Sequence, residues 1–277
     1  METIPIQMPD GTEVPVRLFA GRDAAPVVVI FPGLGVPGGY YDTVARALVG
    51  HGFNAAIGEL RGQGDSRPRP GPASSYGYQE LASVDYPAIF EAVRERFDES
   101  TPFLLGHSMG GQLGVMYAAR IHGALGGVIL VASGSPFHRT HGMVRGAGLL
   151  VGSAAMSVTA NVAGFWPGDR FDVGGFGRQS KVLISDWSRF ARTGLIDPAD
   201  ADIDYEQALA GLTLPVLSIS VEADDLAPKP AIRDLVRKLP NADVTTWHQG
   251  EPLGHNGWIR NCGSTVDRIV AWLRDRE

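Results

Sequence analysis

Cysteine is almost absent from this chain. With Cys262 alone among 277 residues, no intrachain disulfide can form and a cysteine-rich zinc site is excluded. Lysine is nearly as scarce: of 24 basic residues only Lys181, Lys229 and Lys238 are lysine, and the arginines are scattered along the chain. Against 30 acidic residues they leave a formal net charge of −6, which is no footprint for a nucleic-acid partner. The 36 glycines and 19 prolines follow no period, so a collagen-like or repeat architecture is out. There is no H-E-x-x-H, the histidines are dispersed, and no P-loop is found; neither metal nor cofactor is expected. The first twenty residues lack the charged start and apolar core of a signal peptide, so the expected location is cytoplasmic. Residues 146–168 carry no charge and are long enough to span a bilayer, but five glycines and polar Ser153, Ser157, Thr159 and Asn161 interrupt them. They are expected to form a half-buried helix facing an apolar substrate, without integral membrane association. The oligomeric state is left open, a homodimer being one candidate.

What is present is an alternation of short apolar runs and helical patterns. Residues 1–20 alternate around Pro9-Asp10-Gly11-Thr12, as two strands joined by a tight turn do. Runs at 26–31, 53–58, 102–106, 127–133, 215–221 and 242–248 suit buried strands. Patterns at 39–50, 76–97, 108–122, 229–239 and 262–275 suit helices, the first with Tyr40, Val44, Ala47 and Leu48 on its apolar side. Alternating strands and helices predict an α/β fold with a mostly parallel sheet covered on both faces. Roughly 80 residues separate the runs near 132 and 215, far more than a crossover needs. The expected division is therefore a core of 1–133 and 211–277 with an inserted cap at 134–210. Such sheets hold ligands at the carboxyl ends of their strands, where a cap would form a lid over a small-molecule substrate.

The strongest chemical signal is Gly106-His107-Ser108-Met109-Gly110-Gly111, between the apolar run Phe103-Leu104-Leu105 and a helix. In that strand–turn–helix setting G-x-S-x-G reads as a nucleophile elbow, and it does not read as a G-x-G-x-x-G dinucleotide fingerprint. A serine hydroxyl needs a base. His255, in the Gly-rich stretch Gly250–Trp258 after the last strand, is the candidate, with His248 as runner-up. His51 and His122 near helix ends read as charge partners, and His138 and His141 fall in the cap. A carboxylate must orient the imidazole; Asp224 or Asp225, just past the strand at 215–221, could reach it, and position alone does not separate them. The order Ser…Asp…His fits the hydrolase pattern. Oxyanion donors are expected from the backbone N–H groups of Met109 and of Leu34, the latter in Pro32-Gly33-Leu34-Gly35 after the strand at 26–31.

Together these motifs resemble the α/β-hydrolase fold serine hydrolases, and are especially similar to lysophospholipase- and monoacylglycerol-lipase-like esterases and serine aminopeptidases. The matching segments are Pro32–Gly35, Leu60-Arg61-Gly62-Gln63-Gly64-Asp65-Ser66, Gly106–Gly110 and Gly254-His255. The resemblance implies an eight-stranded sheet whose second strand is antiparallel. It also favours Asp224 over Asp225, because the family's acid stands four residues before a proline, here Pro228. Two departures stand out: Pro32 replaces a histidine that commonly supports the oxyanion loop, and Glu59 stands where aspartate is usual, a change of little expected consequence. The expected activity is hydrolysis of carboxylic esters with hydrophobic acyl or aryl groups. Alternatives using the same triad are an amidase or aminopeptidase, a thioesterase, a C–C hydrolase or an acyltransferase; a binding module without catalysis is a minor one. An aminopeptidase would need acidic groups for the substrate ammonium, and Asp197, Asp200, Asp202, Asp204 and Glu206 are the candidates.

Overall fold

The computed structural model describes residues 1–121, 123–171 and 175–276; His122 therefore lies outside the described residues. Strands β1 (Glu2–Gln7), β2 (Glu13–Phe19) and β3 (Val27–Phe31) come first, then helix α1 (Asp42–Gly50) and β4 (Asn54–Gly58). A continuous helical stretch follows, α2 (Tyr78–Glu80) leading through a π-helical turn at Leu81–Asp85 into α3 (Tyr86–Arg96). Next are β5 (Pro102–His107), α4 (Met109–Ile121) and β6 (Gly127–Val131). After a long connection come β9 (Pro215–Val221), α9 (Lys229–Val236), β10 (Asp243–Gln249), α10 (Gly254–Arg260) and α11 (Gly263–Arg274). The connection itself contains α5 (Met143–Ala163), a small hairpin of β7 (Phe165–Pro167) and β8 (Arg178–Ser180) around α6 (Gly168–Phe171), α7 (Lys181–Thr193) and α8 (Tyr205–Ala210).

The eight long strands form one sheet in the order β1-β2-β4-β3-β5-β6-β9-β10. β2 runs antiparallel to both of its neighbours, and the other pairings are parallel. This is the α/β-hydrolase fold. The period-two geometry of a strand sends neighbouring side chains to opposite faces, and the apolar runs split accordingly. Val27, Val29, Phe31, Leu104, Val128 and Leu130 join one core with α3 and α4. Val28, Ile30, Leu105, Ile129, Val131 and Ile219 join the other with α1, α10 and α11. Because both faces are covered, the central strands can be apolar throughout.

Two local expectations are corrected. In the α1 region Tyr41, not Tyr40, is the buried tyrosine: Tyr40 is 49% exposed, and Tyr41 is fully enclosed. The cause is a turn of 3-10 helix at Gly38–Tyr41, which advances the chain differently from an α-helical turn. Helix α5 is not half-buried. Only 22% of its most apolar window lies inside the protein, because a narrow stripe of Gly146, Ser153, Met156 and Ala160 faces inward. Val144, Val151, Val158 and Val162 are exposed, and the helix is long and apolar enough, by length and composition, to cross a membrane.

Candidate active site

Ser108 sits between β5 and α4 with φ of 53°, in the left-handed region that a non-glycine residue enters at a cost of about 1–3 kcal/mol. The turn closes only because its flanks lack side chains. A carbon on Gly106 would collide with the backbone of Gly111, and one on Gly110 with the carbonyl oxygens of Phe31 and Pro32. The Ser108 amide is held by the Val131 carbonyl at 3.1 Å. The strain thus rests on rigid strands, which fixes the hydroxyl at the carboxyl edge of the sheet.

The structure brings three of the sequence-selected side chains together. His255 Nε2 lies 2.9 Å from Ser108 Oγ. Its Nδ1 lies 2.9 and 3.0 Å from the two oxygens of Asp224. His255 is the second residue of α10, so a helix start, not a loop, carries it. The Asp224 side chain is fully buried and accepts the amides of Leu226 and Ala227 at 2.9 and 2.8 Å. These bonds hold its carboxylate in one orientation. Asp225 turns outward and pairs with Arg145 of α5 on the surface. His248 is elsewhere as well: its ring joins Ser220 at 2.9 Å and Glu222 at 2.9 Å.

The two residues expected to supply oxyanion donors share a cavity with Ser108. Leu34 and Met109 both line the cavity that opens over Ser108, about 390 Å³ in volume. The amides beside Leu34 are engaged, Gly33 N–H by the Tyr41 hydroxyl at 3.1 Å and Gly35 N–H by the Gln63 carbonyl oxygen. Among the described residues the Leu34 N–H has no protein acceptor. Walls of Leu34, Val36, Met109, Pro136, Leu149, Phe176, Trp187 and Leu226 make the cavity mainly apolar, and α5, the 175–176 loop and α7 supply part of them. Asp225 is its only carboxylate among the described lining residues.

The acidic residues considered for an ammonium site are dispersed instead. Asp202 pairs with Arg120, Glu206 with Lys238 and Asp197 with Arg189, while Asp204 caps α8; none lines the cavity. Sequence reasoning missed the supports of the site. Gln112 carries no motif, yet it receives Tyr78 Oη at 2.7 Å and donates to the Gly134 carbonyl at 2.7 Å. Glu59 is a further support. Both of its oxygens accept Gly38 N–H at 3.0 Å, and one accepts Asp65 N–H at 3.3 Å. Its carboxylate therefore ties the 3-10 turn at Gly38–Tyr41 to the 60–66 loop.

Burial pushes the Glu59 carboxyl up to about 7, so folding takes up a proton between the unfolded value near 4.5 and pH 7. Stability from this group is full below the lower value and is lost as pH rises through the upper one. The difference is about 3 kcal/mol. Denaturant titrations at pH 5 and pH 8 are expected to show this loss in the wild type and its reduction in Glu59→Gln. A Glu59→Gln variant with the wild-type pH slope would refute the assignment.

Residues 22–165, just over half of the chain, match the family described as serine aminopeptidase, S33. A stretch of 142 residues, 49% of this chain, is 32% identical to a proline iminopeptidase of Chitinophaga pinensis. The chain spans only 46% of that relative's length. Among solved structures, an esterase from Exiguobacterium antarcticum superposes with a TM-score of 0.67 at 18% identity, covering 99% of this chain and all of that one. A membrane phospholipase A, a bacterial virulence factor, gives the same TM-score at 19% identity over 99% of this chain and 86% of the other. At such identities these likenesses concern the fold.

Proposed function

This chain belongs to the serine aminopeptidase S33 family of α/β-hydrolases, and from that premise we propose that it is a hydrolase of carboxylic esters with hydrophobic acyl or aryl groups. The observation that carries the reading is the unbroken contact from the Asp224 carboxylate through the His255 ring to the Ser108 hydroxyl. In this mechanism His255 Nε2 takes the Ser108 proton as Oγ attacks the ester carbonyl. The Leu34 and Met109 amides hold the tetrahedral oxyanion, and Asp224 stabilises the imidazolium. The imidazolium then protonates the departing alcohol. Water, deprotonated by the same ring, releases the acid from Ser108. The segment 134–210 acts as the cap, since its Leu149, Phe176 and Trp187 wall the acyl cavity.

The likeness to a proline iminopeptidase raises an aminopeptidase reading. Among the described residues, Asp225 is the one carboxylate that an α-ammonium in this cavity would meet, and Arg145 already engages it. Burying an ammonium without a free carboxylate is costly, and that favours neutral esters. The test is a chain-length series of p-nitrophenyl esters beside aminoacyl p-nitroanilides, on the wild-type enzyme. Esters are expected to exceed anilides in kcat/KM by about 10² or more. Turnover of the anilides with no turnover of the esters would replace this reading by the aminopeptidase one. Acyl thioesters in the same series distinguish a thioesterase.

A further inference from the structure

His107 precedes the elbow serine, is wholly enclosed, and takes no part in the proton transfers above. Its ring nevertheless has a partner at each nitrogen. Nε2 lies 3.0 Å from the backbone carbonyl of His255, and Nδ1 lies 2.6 Å from Tyr41 Oη. A carbonyl can only accept, so Nε2 carries the hydrogen. Burial drives the His107 ring well below the usual imidazole range, so it is neutral and Nδ1 is an acceptor. Tyr41 must then donate its hydrogen to Nδ1, and its oxygen accepts Gly33 N–H at 3.1 Å. The phenol is itself fully buried, and burial holds it far from ionisation. Every donor direction in the chain is therefore fixed: Gly33 N–H to Tyr41, Tyr41 to His107, His107 to the His255 carbonyl.

The two ends of this chain belong to opposite sides of the chemistry. Gly33 is the residue before Leu34, whose amide would hold the oxyanion. The His255 carbonyl belongs to the residue whose ring is the base. Trp258, wholly buried, packs edge-on against both rings, with centroids 5.4 Å from His107 and 6.3 Å from Tyr41. No water or mobile side chain is needed to complete the connection.

We propose that Tyr41 and His107 are positioning residues that set the oxyanion loop and the base His255 at one fixed separation, so that donor and base act on the same carbonyl. The proposal rests on the ester-hydrolase reading above. Removing the Tyr41 hydroxyl leaves Gly33 N–H and His107 Nδ1 without partners and lets the loop shift. Misplacement on the scale of an ångström costs up to about 10² in rate.

The experiment compares wild type, Tyr41→Phe, His107→Gln and Ser108→Ala on one p-nitrophenyl ester, with active sites titrated by a fluorophosphonate. Tyr41→Phe is expected to lower kcat per titrated site by about 10- to 100-fold with KM changed less than about threefold. Binding of a trifluoromethyl ketone, which forms the oxyanion on Ser108, is expected to weaken by the same factor, while binding of the product acid is unchanged. His107→Gln keeps a donor for the His255 carbonyl and loses the acceptor for Tyr41, so it should show the same split. A merely structural role would reduce the titratable fraction and leave kcat per site intact, and that result overturns the proposal. Should both variants fail to fold, nitrogen-15 histidine spectra of the wild type decide. His107 is expected as a neutral Nε2–H ring from pH 5 to 9, with its signal displaced when the ketone binds. A cationic ring, an Nδ1–H tautomer or an undisturbed signal refutes the proposal. Undiminished activity of Ser108→Ala would instead refute the underlying reading.

Discussion

Ser108→Ala is expected to lose about 10⁴–10⁶ in kcat on p-nitrophenyl esters, with KM within a few-fold of wild type. The loss is large because the hydroxyl is the atom that forms the covalent intermediate; without it only water held near the oxyanion amides can attack. The residue cannot be replaced by the other groups nearby. Among the described residues, the Ser108 hydroxyl is the one bonded to His255 Nε2, and Cys262, the single thiol, is buried beside α11 in the opposite core. KM should move little because the apolar walls are untouched. Folding should survive, since alanine enters the left-handed region at a strain comparable to serine's. A fluorophosphonate should label the wild type at position 108 and leave the variant unlabelled. A well-folded wild type that fails to label would favour a binding module without catalysis, and full activity in the variant would sink the serine mechanism.

Much of this site was legible in the sequence because its chemistry is local. The elbow is six consecutive residues, the end of β5, Ser108 and the start of α4, and its glycines are required by collisions that any such turn creates. The parallel sheet was legible for a similar reason: strands buried on both faces are continuously apolar, so β3, β5 and β6 stand out. What stayed hidden is whatever depends on reach across the fold. Nothing in Gly39-Tyr40-Tyr41 says which tyrosine turns inward, because a 3-10 turn decides it. Nothing in Glu59 announces that its carboxylate accepts the amides of Gly38 and Asp65. The segment between β6 and β9 was the least legible part. An uncharged stretch such as 146–163 could face the core, a ligand or the outside, and the stripe Gly146, Ser153, Met156 and Ala160 that fixes its orientation consists largely of small residues. The acidic run 197–206 was readable as an ammonium site only until Arg120, Arg189 and Lys238 were found beside it.

Asp224 and Asp225 are adjacent and chemically identical, so their separation is the sharpest test of the geometry. Asp224→Asn is expected to lower kcat by about 10⁴. The side-chain amide can offer its N–H to His255 Nδ1. The ring then carries its hydrogen on Nε2, facing Ser108, and cannot accept the serine proton. The Leu226 and Ala227 amides, which now aim at a carboxylate oxygen, would still find the amide oxygen, so the loop should keep its form and the defect should lie in kcat. Asp225→Asn is expected to change kcat by no more than a few-fold. Its partner Arg145 is on the surface, where solvent screens the pair, and the bond joins α5 to the segment after β9 without touching the triad. Arg145 lines the cavity, and with its partner neutral it becomes a free cation there. Asp225→Asn is therefore expected to improve KM for esters bearing a distal carboxylate relative to neutral esters of equal length, a shift that Arg145→Gln should abolish. Comparable losses of kcat in both aspartate variants would mean that the acid works through the pair, contrary to the orientation of Asp225 away from His255.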